Sequence, residues 1–448
     1  MADSPALLDT AEALHKHLTF LIAHLRKKKG SLPTASTEHD TQLHALKRPI
    51  LHLTENLKYA LNGPMETLAT LSYQPFDKCA LSVFIKFNFH HSLPCTSIHL
   101  ATEHGLDPEF VDRTLAMLRT HAIVYNEPST EPQGPVVWKA GYNCQPLFVE
   151  PLYEELALSC VDFPMVPGHI LDYLERYPKG REKSTESVLW MLNGGKNLWQ
   201  LCEEKPRLAT RLLKGLQGFG ASDETAHKIA EWIAKSVSDQ ASFPQQAGRL
   251  KIVDVGGGNG NASSKIATVL NERDDGLGGR VCFEVQDVHG ETFEQALKDF
   301  IPEDQQESGQ ISFQKHDFFE PQPASTVPKQ TAAFFLRRVL HDWTDQDCIR
   351  ILRQLVPTLE ENPNAAILIN ESIIPGVDRQ VYRFEDREVR RLDWIMMLQL
   401  NSKERTMEQW VALLSATDVR LRVVEVLKES GQKNGVYLLW VLVVKLVK

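Results

Sequence analysis

From Leu250 onward, short β-branched runs alternate with helical stretches. The runs read LKIVDV, VCFEVQD, ISFQKHD, AAFFLRRVL and AAILINES, and the last two are LRVVEVL and GVYLLWVLVV. Such alternation predicts a mainly parallel sheet with helices on both faces. The loop between the last two runs is too short for a crossover helix, so these strands should pair antiparallel at one edge. We therefore predict an α/β fold with a doubly wound, mostly parallel sheet of seven strands.

The N-terminal part of the chain has a different, helical pattern. Apolar residues recur at helical spacing through the first hundred residues, and a Ser-, Thr- and Pro-rich break at 30–41 predicts a short linker. The segment 80–125 reads helix, turn, helix and is typical of a winged helix. Within 96–125 there are four acids against two arginines, which favours a packing role over DNA binding. Residues 150–245 are again helical in pattern.

The charge and the cysteine pattern exclude several classes of protein. A net charge of −9 disfavours nucleic acid and anionic membranes as partners and favours small molecules. The N-terminus carries acids and histidines where a secretory signal needs an apolar core, and the longest apolar run, Val436 to Val444, is too short to span a bilayer. That run predicts a buried strand. Seven scattered cysteines without a C-x-x-C pair predict reduced thiols and a cytoplasmic protein.

A glycine-rich turn follows the first strand. The segment from Asp254 to Gly260 reads D-x-G-x-G-x-G and precedes a helical run. A dinucleotide fingerprint would need its third glycine at position 261, where the chain has Asn261. The pattern suits a ligand without a pyrophosphate, whose amino-acid end lies over the turn. A tight turn without a ligand is the alternative.

Acidic residues follow the next two strands. The second strand ends at Asp287 and the third at Asp317, at the edge of the sheet where open α/β folds bind ligands. Asp287 is placed to accept both hydroxyls of a ribose, and it would repel a 2′-phosphate. Asp317 and Phe318 could supply an acceptor and an apolar wall for adenine. A helix N-cap is the alternative role for either aspartate.

The fourth strand runs into His341, and the fifth strand ends near Glu371. In the strand order 3-2-1-4-5 these strands are neighbours, so His341 and Glu371 should converge at the ligand edge. We interpret His341 as a general base that is oriented by an acid. The other histidines lack the spacing of metal ligands, and no metal site is predicted.

The segment 378–400 has a charged part followed by an apolar part. Its charge-dense start, 378–391, favours a solvated helix face. The apolar run 393–400 contains two methionines, and it can be either core or an adaptable wall for an aromatic ligand.

Together, the motifs VDVGGGNG, VQDV, HDFF, LRRVLHDWTD, INES and KERT, in this order, resemble a known family. The chain resembles the class I S-adenosylmethionine-dependent O-methyltransferases of the plant caffeate type and their fungal polyketide-modifying relatives. The resemblance runs from about Ala80 to the end and is strongest over 253–406. It implies contacts of Gly256 and Gly258 with the methionine part of the cofactor, of Asp287 with the ribose, of Asp317 and Phe318 with the adenine, and of Arg337 near the cofactor. It also implies His341 as catalytic base, bracketed by Glu371 and Glu404.

The resemblance further implies methyl transfer to a hydroxyl of an aromatic or polyketide-derived small molecule in secondary metabolism. It implies a homodimer in which residues 1–150 form a helical and winged-helix dimerisation domain. Residues 151–245 would be a helical connector lining the substrate pocket, and 246–448 the cofactor-binding catalytic domain. One alternative is an enzyme of this fold that keeps S-adenosylmethionine but catalyses dehydration or pericyclic ring closure. A DNA-binding regulator is disfavoured by the acidic winged-helix segment.

Overall fold

The computed structural model describes most of the chain. The described residues are 7–27, 41–127, 136–179, 186–218, 223–238, 249–273, 275–376, 381–428 and 439–447. The linker predicted at 30–41 lies almost wholly outside them.

The described residues form the following helices and strands. The helices are α1 (Leu7–Lys27), α2 (Thr41–Lys86), α3 (Phe89–Ser92), α4 (Ser97–His104), α5 (Pro108–Arg119), α6 (Glu150–Ala157), α7 (Ile170–Arg176), α8 (Val188–Leu192), α9 (Leu198–Glu204), α10 (Pro206–Gly218), α11 (Asp223–Ser238), α12 (Asn261–Asn271), α13 (Phe293–Phe300), α14 (Glu303–Glu307), α15 (Asp345–Arg353), α16 (Val356–Glu361), α17 (Arg383–Leu400) and α18 (Met407–Thr417). The strands are β1 (Cys95–Thr96), β2 (Val124–Glu127), β3 (Val137–Ala140), β4 (Leu250–Val255), β5 (Val281–Asp287), β6 (Ile311–Lys315), β7 (Thr331–Arg337), β8 (Ala366–Ile374), β9 (Arg405–Thr406), β10 (Leu421–Leu427) and β11 (Leu439–Leu446).

The chain divides into two compact units. One unit comprises 1–14, 53–176 and 192–219, and the other comprises 15–52, 177–191 and 220–448. The first part of α2 therefore belongs to the second unit, and the rest of α2 to the first. The division of the chain at 150 and 245 stays a prediction.

A large mixed sheet forms the centre of the second unit. Its strand order is β10-β11-β8-β7-β4-β5-β6, and the short β9 pairs with β8 off this path. The sheet thus has eight strands rather than the predicted seven, because a two-residue strand carries no pattern in the sequence. Five neighbouring strands of the sheet, in the order β6-β5-β4-β7-β8, are parallel and follow the predicted order. At the other edge, β10 pairs antiparallel with β11.

Alternate residues of the strands pack into two cores. Ile252 and Phe335 belong to a core with α11 and α12, whereas Val253 and Phe334 belong to a core with α15, α16 and α18. Successive side chains of a strand point to opposite faces of its sheet, so the two cores cover both faces. This explains why the strands read as continuous apolar runs. The buried residues 439–444 of β11 confirm the strand predicted from the longest apolar run.

The first unit contains a small three-stranded antiparallel sheet in the order β1-β3-β2. The predicted helix, turn and helix are α4 and α5. The side chain of Thr96 accepts a hydrogen bond from a backbone N–H at the start of α4. The side chain of Asp107 does the same at the start of α5, whose first residue is Pro108. The winged-helix interpretation and its role stay predictions.

The start of α17 differs from the predicted solvated face. Glu385 is buried, and both of its carboxylate oxygens bind the guanidinium of Arg48, at 2.6 and 3.0 Å. Arg48 also lies over the ring of Tyr382. The solvated-face interpretation is therefore wrong for Glu385, because its partner comes from 337 residues away in the sequence.

Two further observations concern the described residues. They include all seven cysteines, and each cysteine is free. Across the described ranges, no helix combines the length and the apolar character needed to cross a membrane.

Candidate active site

The turn between β4 and α12 needs its glycines for two different reasons. Gly256 and Gly258 have φ values of +68° and +56°, a region that residues with a Cβ rarely adopt. At Gly257 the reason is space, because a Cβ there would lie 2.6 Å from the carboxyl carbon of Asp254. At Gly258 a Cβ would meet nothing within 4 Å. The backbone at Gly258 is therefore open to its surroundings.

The buried carboxylate of Asp254 packs against this turn at Gly257. It accepts a hydrogen bond of 2.6 Å from the hydroxyl of Ser263 in α12. Burial raises the pKa of Asp254 to about 6, although Ser263 and the charge of Arg337 act to lower it. Arg337, the last residue of β7, is therefore placed where its charge acts on the base of the glycine turn.

Asp287 ends β5 and joins it to the glycine turn. One carboxylate oxygen accepts the backbone N–H of Gly258 at 3.1 Å, and the other accepts that of His289 at 3.0 Å. Each carboxylate oxygen has further lone pairs, so both remain able to accept a hydroxyl hydrogen. The structure therefore brings Asp287 and Gly258 together, as the sequence predicts.

Asp317 and Phe318 lie after β6. The carboxylate of Asp317 accepts the N–H of Phe319 at 2.9 Å, which fixes the loop. The ring of Phe318 packs edge-on against Trp343, and one ring carbon lies 3.4 Å from the position that a Cβ of Gly256 would take. Phe318 is therefore an apolar wall beside the glycine turn.

His341 lies in a short 3₁₀ turn after β7 and is buried. Its Nδ1 is 2.7 Å from Oε1 of Glu404 and 3.7 Å from Oε2 of Glu371. Its Nε2 is 3.4 Å from a carboxylate oxygen of Asp342. The structure thus brings the three residues of the predicted catalytic set together, with Glu404 rather than Glu371 as the hydrogen-bond partner of the ring.

Glu371 lies within β8, which continues to Ile374, and not at the strand end as predicted. It binds the backbone of the same turn. Its Oε1 accepts N–H groups from Val339, Leu340 and His341, at 3.1, 2.9 and 3.3 Å. Arg338, two residues before Leu340, has a φ of +51°, and a left-handed residue close before a 3₁₀ turn lets successive N–H groups converge on one anion. Glu371 therefore orders the turn that carries the imidazole.

The concentration of buried charge shifts the pKa values of the cluster. Burial lowers the pKa of His341, but the charges of Glu371, Glu404 and Asp342 raise it more, so that it rises to about 9. Burial raises the pKa of Glu371 to about 7 and that of Asp342 to about 6, in both cases against the opposing charge of His341. The acids thus make the imidazole a stronger base than free histidine.

One nitrogen and two carboxylates are also a possible set of metal ligands. The ligand atoms of His341, Glu371 and Glu404 all lie within 4.8 Å of one another. Their present arrangement is that of a hydrogen-bonded cluster, because Nδ1 bonds Glu404 directly and Glu371 is bound by three amides.

Two residues near His341 were missed by the sequence reasoning. Asp342 faces Nε2 of the imidazole, and its only sequence signal is that it follows His341. Arg405 has a fully buried side chain that bonds the carbonyls of Leu340 and Trp343. Arg405 belongs to the motif KERT, but nothing in that motif indicates its partners, which lie more than sixty positions away along the chain.

Comparison with known proteins gives a family match for the part of the chain that contains these residues. Residues 224–419 match the model of the O-methyltransferase domain family. Residues 224–419 form an S-adenosylmethionine-dependent O-methyltransferase domain. Over 90% of this chain, the sequence is 27% identical to the O-methyltransferase sol2 of Alternaria solani, of which 88% is covered.

Solved structures share the fold of this methyltransferase. A pericyclic reaction enzyme has a TM-score of 0.68 and 18% identity, with 92% of this chain and 98% of that chain covered. The mitomycin 7-O-methyltransferase MmcR has a TM-score of 0.61 and 18% identity, with 85% and 97% covered. At such identities the likeness shows the fold alone, and the family match carries the assignment of the activity.

The residues of the methyltransferase site fit S-adenosylmethionine. The backbone at Gly258 is open, which permits close approach of the amino-acid end. Asp287 offers only acceptors, as a ribose diol requires, and Phe318 offers an apolar face. The individual contacts of these residues and of Arg337 with the cofactor remain predictions.

Proposed function

We propose that this enzyme methylates a hydroxyl group of an aromatic or polyketide-derived small molecule, with His341 as the general base. In this proposal Gly256, Gly258, Asp287, Asp317, Phe318 and Arg337 hold the cofactor, and Glu371 and Glu404 position the base. When bound, S-adenosylmethionine supplies a methyl group that is already activated on sulfur. The protein then has to align the acceptor and remove one proton.

The hydrogen bond between His341 and Glu404 is the observation that carries the proposal. A carboxylate accepts the hydrogen on Nδ1, and this fixes the tautomer in which Nε2 has the free lone pair. Nε2 is therefore the atom that takes the proton of the acceptor hydroxyl. Burial of the cluster keeps bulk water away from that proton.

The raised pKa of His341 reduces the cost of deprotonation. A phenol has a pKa near 10, and complete proton transfer to an ordinary imidazole near 6.5 is uphill by about 5 kcal/mol. With a pKa of about 9 for His341, the gap falls to about one unit, or about 1.4 kcal/mol. The same shift leaves most of the imidazole protonated at pH 7, so we expect activity to rise with pH.

The exposed face of α17 supports an apolar acceptor. The side chain of Asp393 accepts the backbone N–H of Glu404 at 2.9 Å, which ties α17 to the base cluster. The residues that follow, Trp394, Ile395 and Met397, are large, apolar and exposed, whereas Met396 is buried. The helix is thus both core and surface, and its surface side supports an adaptable wall for an aromatic ligand.

We also propose a homodimer formed through the N-terminal helical and winged-helix region, in a cytoplasmic protein. The support is an apolar row on α2 beyond Gly63, where Met65, Leu68 and Phe76 share one helix face and are 80%, 64% and 63% exposed. Exposed apolar rows of this kind mark protein interfaces. A second copy of the chain is the partner that the family resemblance implies.

Methyl transfer is tested by incubating the protein with methyl-labelled S-adenosylmethionine and a panel of phenolic and polyketide acceptors. We expect a labelled O-methyl product and S-adenosylhomocysteine in equal amounts, detected by mass spectrometry. His341→Gln should lower turnover by about 100-fold or more, because general base catalysis contributes that much. His99→Gln, a change of an exposed histidine in the first unit, is the matched control and should leave turnover unchanged.

Two results would contradict the proposal. Full turnover by His341→Gln would remove the base assignment and leave the methyl transfer intact. Conversion of an acceptor without gain of mass and without S-adenosylhomocysteine would favour the alternative, ring closure or dehydration with the cofactor retained.

A further inference from the structure

We propose that Arg405 is a positioning residue that holds the turn carrying His341 in its reactive geometry. The proposal rests on the function proposed for His341. It concerns a residue that contacts the backbone on both sides of the base, and not the base itself.

The guanidinium of Arg405 bonds the two carbonyls that flank the His341–Asp342 pair. Nη1 donates to the carbonyl of Leu340 at 2.9 Å, and Nη2 donates to the carbonyl of Trp343 at 2.9 Å. Nε donates to the carboxylate of Asp345 at 3.0 Å. One planar group therefore fixes the entry and the exit of the turn and links both to the start of α15.

The thiol of Cys348 completes this arrangement. Its Sγ lies 3.1 Å from the carbonyl oxygen of Leu340 and 3.3 Å from Nη2 of Arg405. The guanidinium also lies over the ring of Trp410, 5.2 Å from the centroid. The side chain of Arg405 is fully buried, and a buried cation of this kind is retained only where its donors are satisfied.

The backbone of the turn is thus bound by an anionic and a cationic side chain, the first at its N–H groups and the second at its carbonyl groups. Glu371 binds three N–H groups of the turn, and Arg405 binds two of its carbonyls. His341 belongs to the segment that these two side chains bind. A shift of the peptides on either side would move the imidazole relative to Glu404, whose hydrogen bond fixes its tautomer.

A lysine cannot replace Arg405 in this role. An ammonium is a single point with three donors, whereas the guanidinium presents five N–H groups in a rigid plane and reaches two separate carbonyls at once. Arg405→Lys keeps the positive charge and loses the simultaneous contacts. It therefore separates the effect of geometry from the effect of charge.

The test compares Arg405→Lys with the parent in two independent measurements. The first is an NMR titration of histidine ring carbons in the full chain, in which His341→Gln assigns one signal among the 16 histidines. The groups that set this titration are Glu371, Glu404 and Asp342, with Arg338 acting on two of these acids. In the parent the signal should titrate near pH 9. In Arg405→Lys it should titrate at lower pH, because the imidazole leaves the carboxylates.

The second measurement is turnover with an acceptor identified in the labelling experiment. Arg405→Lys should lower kcat by about 100-fold, since a displacement of about 1 Å has that effect, while KM and cofactor affinity stay unchanged. Arg420→Lys is the control, because the guanidinium of Arg420 also binds more than one partner, the carboxylates of Asp418 and Glu360, and none of these belongs to the turn. It should change neither measurement.

If Arg405→Lys does not fold, Asp345→Asn replaces it, because it leaves Arg405 present and removes the ionic partner of Nε. It should shift the titration and kcat in the same direction by smaller amounts. A lower Tm with an unchanged His341 titration and an unchanged kcat, in whichever of the two variants folds, would overturn the positioning role and leave Arg405 as a contributor to stability only. The titration needs no turnover, so it remains informative if His341 is not the base.

Discussion

The carboxylate of Glu404 bonds Nδ1 of His341, whereas the carboxylate of Glu371 bonds backbone amides of the same turn. The two acids thus differ in what they control. Glu404 sets the tautomer of the ring and the direction of Nε2. Glu371 sets the path of the peptide, and both stabilise the protonated imidazole by their charge.

Glu404→Gln should therefore move the pH dependence of catalysis to lower pH. A negative charge stabilises imidazolium, so its removal lowers the pKa of His341, while the amide oxygen can still accept the hydrogen on Nδ1. The acidic limb of kcat/KM against pH reports this group, and its midpoint should fall below that of the parent. The maximal rate should also fall, because a weaker base leaves a more uphill proton transfer.

Glu307→Gln, a change at the exposed end of α14, is the matched control and should leave the limb in place. An acidic limb that stays at the parental pH in Glu404→Gln, or moves to higher pH, would contradict the coupling between Glu404 and His341.

How much of the site can be read from the sequence depends on distance along the chain. The convergence of His341 and Glu371 follows from strand order, because β7 and β8 are parallel neighbours and their register places Glu371 beside the residues that follow β7. The contacts of Arg405 and of Glu385 do not follow from any local pattern. Each joins elements that are far apart in sequence. From the sequence alone, a charged residue of a buried ion pair cannot be distinguished from a charged residue on the surface.

The turn between β4 and α12 has neighbouring glycines with different surroundings. Gly257 lies against Asp254, so that a methyl group has no room, whereas Gly258 faces open space. The sequence pattern marks all the glycines of the turn alike. Only the packing separates Gly257, where a methyl group has no room, from Gly258, over which we propose that the cofactor lies.

Alanine substitutions should separate these two roles. Gly257→Ala should lower Tm strongly, because its Cβ overlaps the carboxyl of Asp254 and the side chain of Val285. Gly258→Ala should cost only about 1 kcal/mol of stability for its left-handed backbone, but it should weaken S-adenosylmethionine binding, since its Cβ enters the open space. Calorimetric titration and thermal unfolding measure both effects.

Gly276→Ala is the matched control for Gly258→Ala, because Gly276 also has a positive φ, +68°, and open space around its Cβ. It should show the same small loss of stability with normal cofactor binding. Equal cofactor affinities for Gly258→Ala and Gly276→Ala would contradict the placement of the cofactor over Gly258.

The order of the strands was predictable for a physical reason. The strands β4, β5, β7 and β8 are largely buried on both faces, so each gives a mostly apolar run that stands out against its helices, whereas β6 at the edge of the sheet is partly exposed. The two-residue β9 forms only because the chain passes beside β8 after α17. Such a strand depends on tertiary contacts and has no signal of its own.

The apolar row on α2 exposes three large apolar side chains on one helix face. Met65, Leu68 and Phe76 lie at helical spacings of three and eight residues within the first unit, and each is more than half exposed. Burying a large apolar side chain contributes roughly 1.5–3 kcal/mol, so a symmetric contact that buries this row twice is worth several times that amount. The row therefore favours a dimer contact through α2.

Introducing charge into this row should convert the dimer into a monomer. The parent should sediment at twice the chain mass of 50.7 kDa, and the double variant Met65→Glu, Leu68→Glu at 50.7 kDa, because a carboxylate in an apolar interface loses its hydration without a partner. Leu171→Glu, at an equally exposed apolar residue of α7, is the control and should remain dimeric. Sedimentation velocity distinguishes the two masses, and calorimetric binding of S-adenosylmethionine establishes that each variant is folded. A monomeric parent, or a double variant that still sediments as a dimer, would show that this row is not the contact, and the partner of α2 would then be something other than a second copy of the chain.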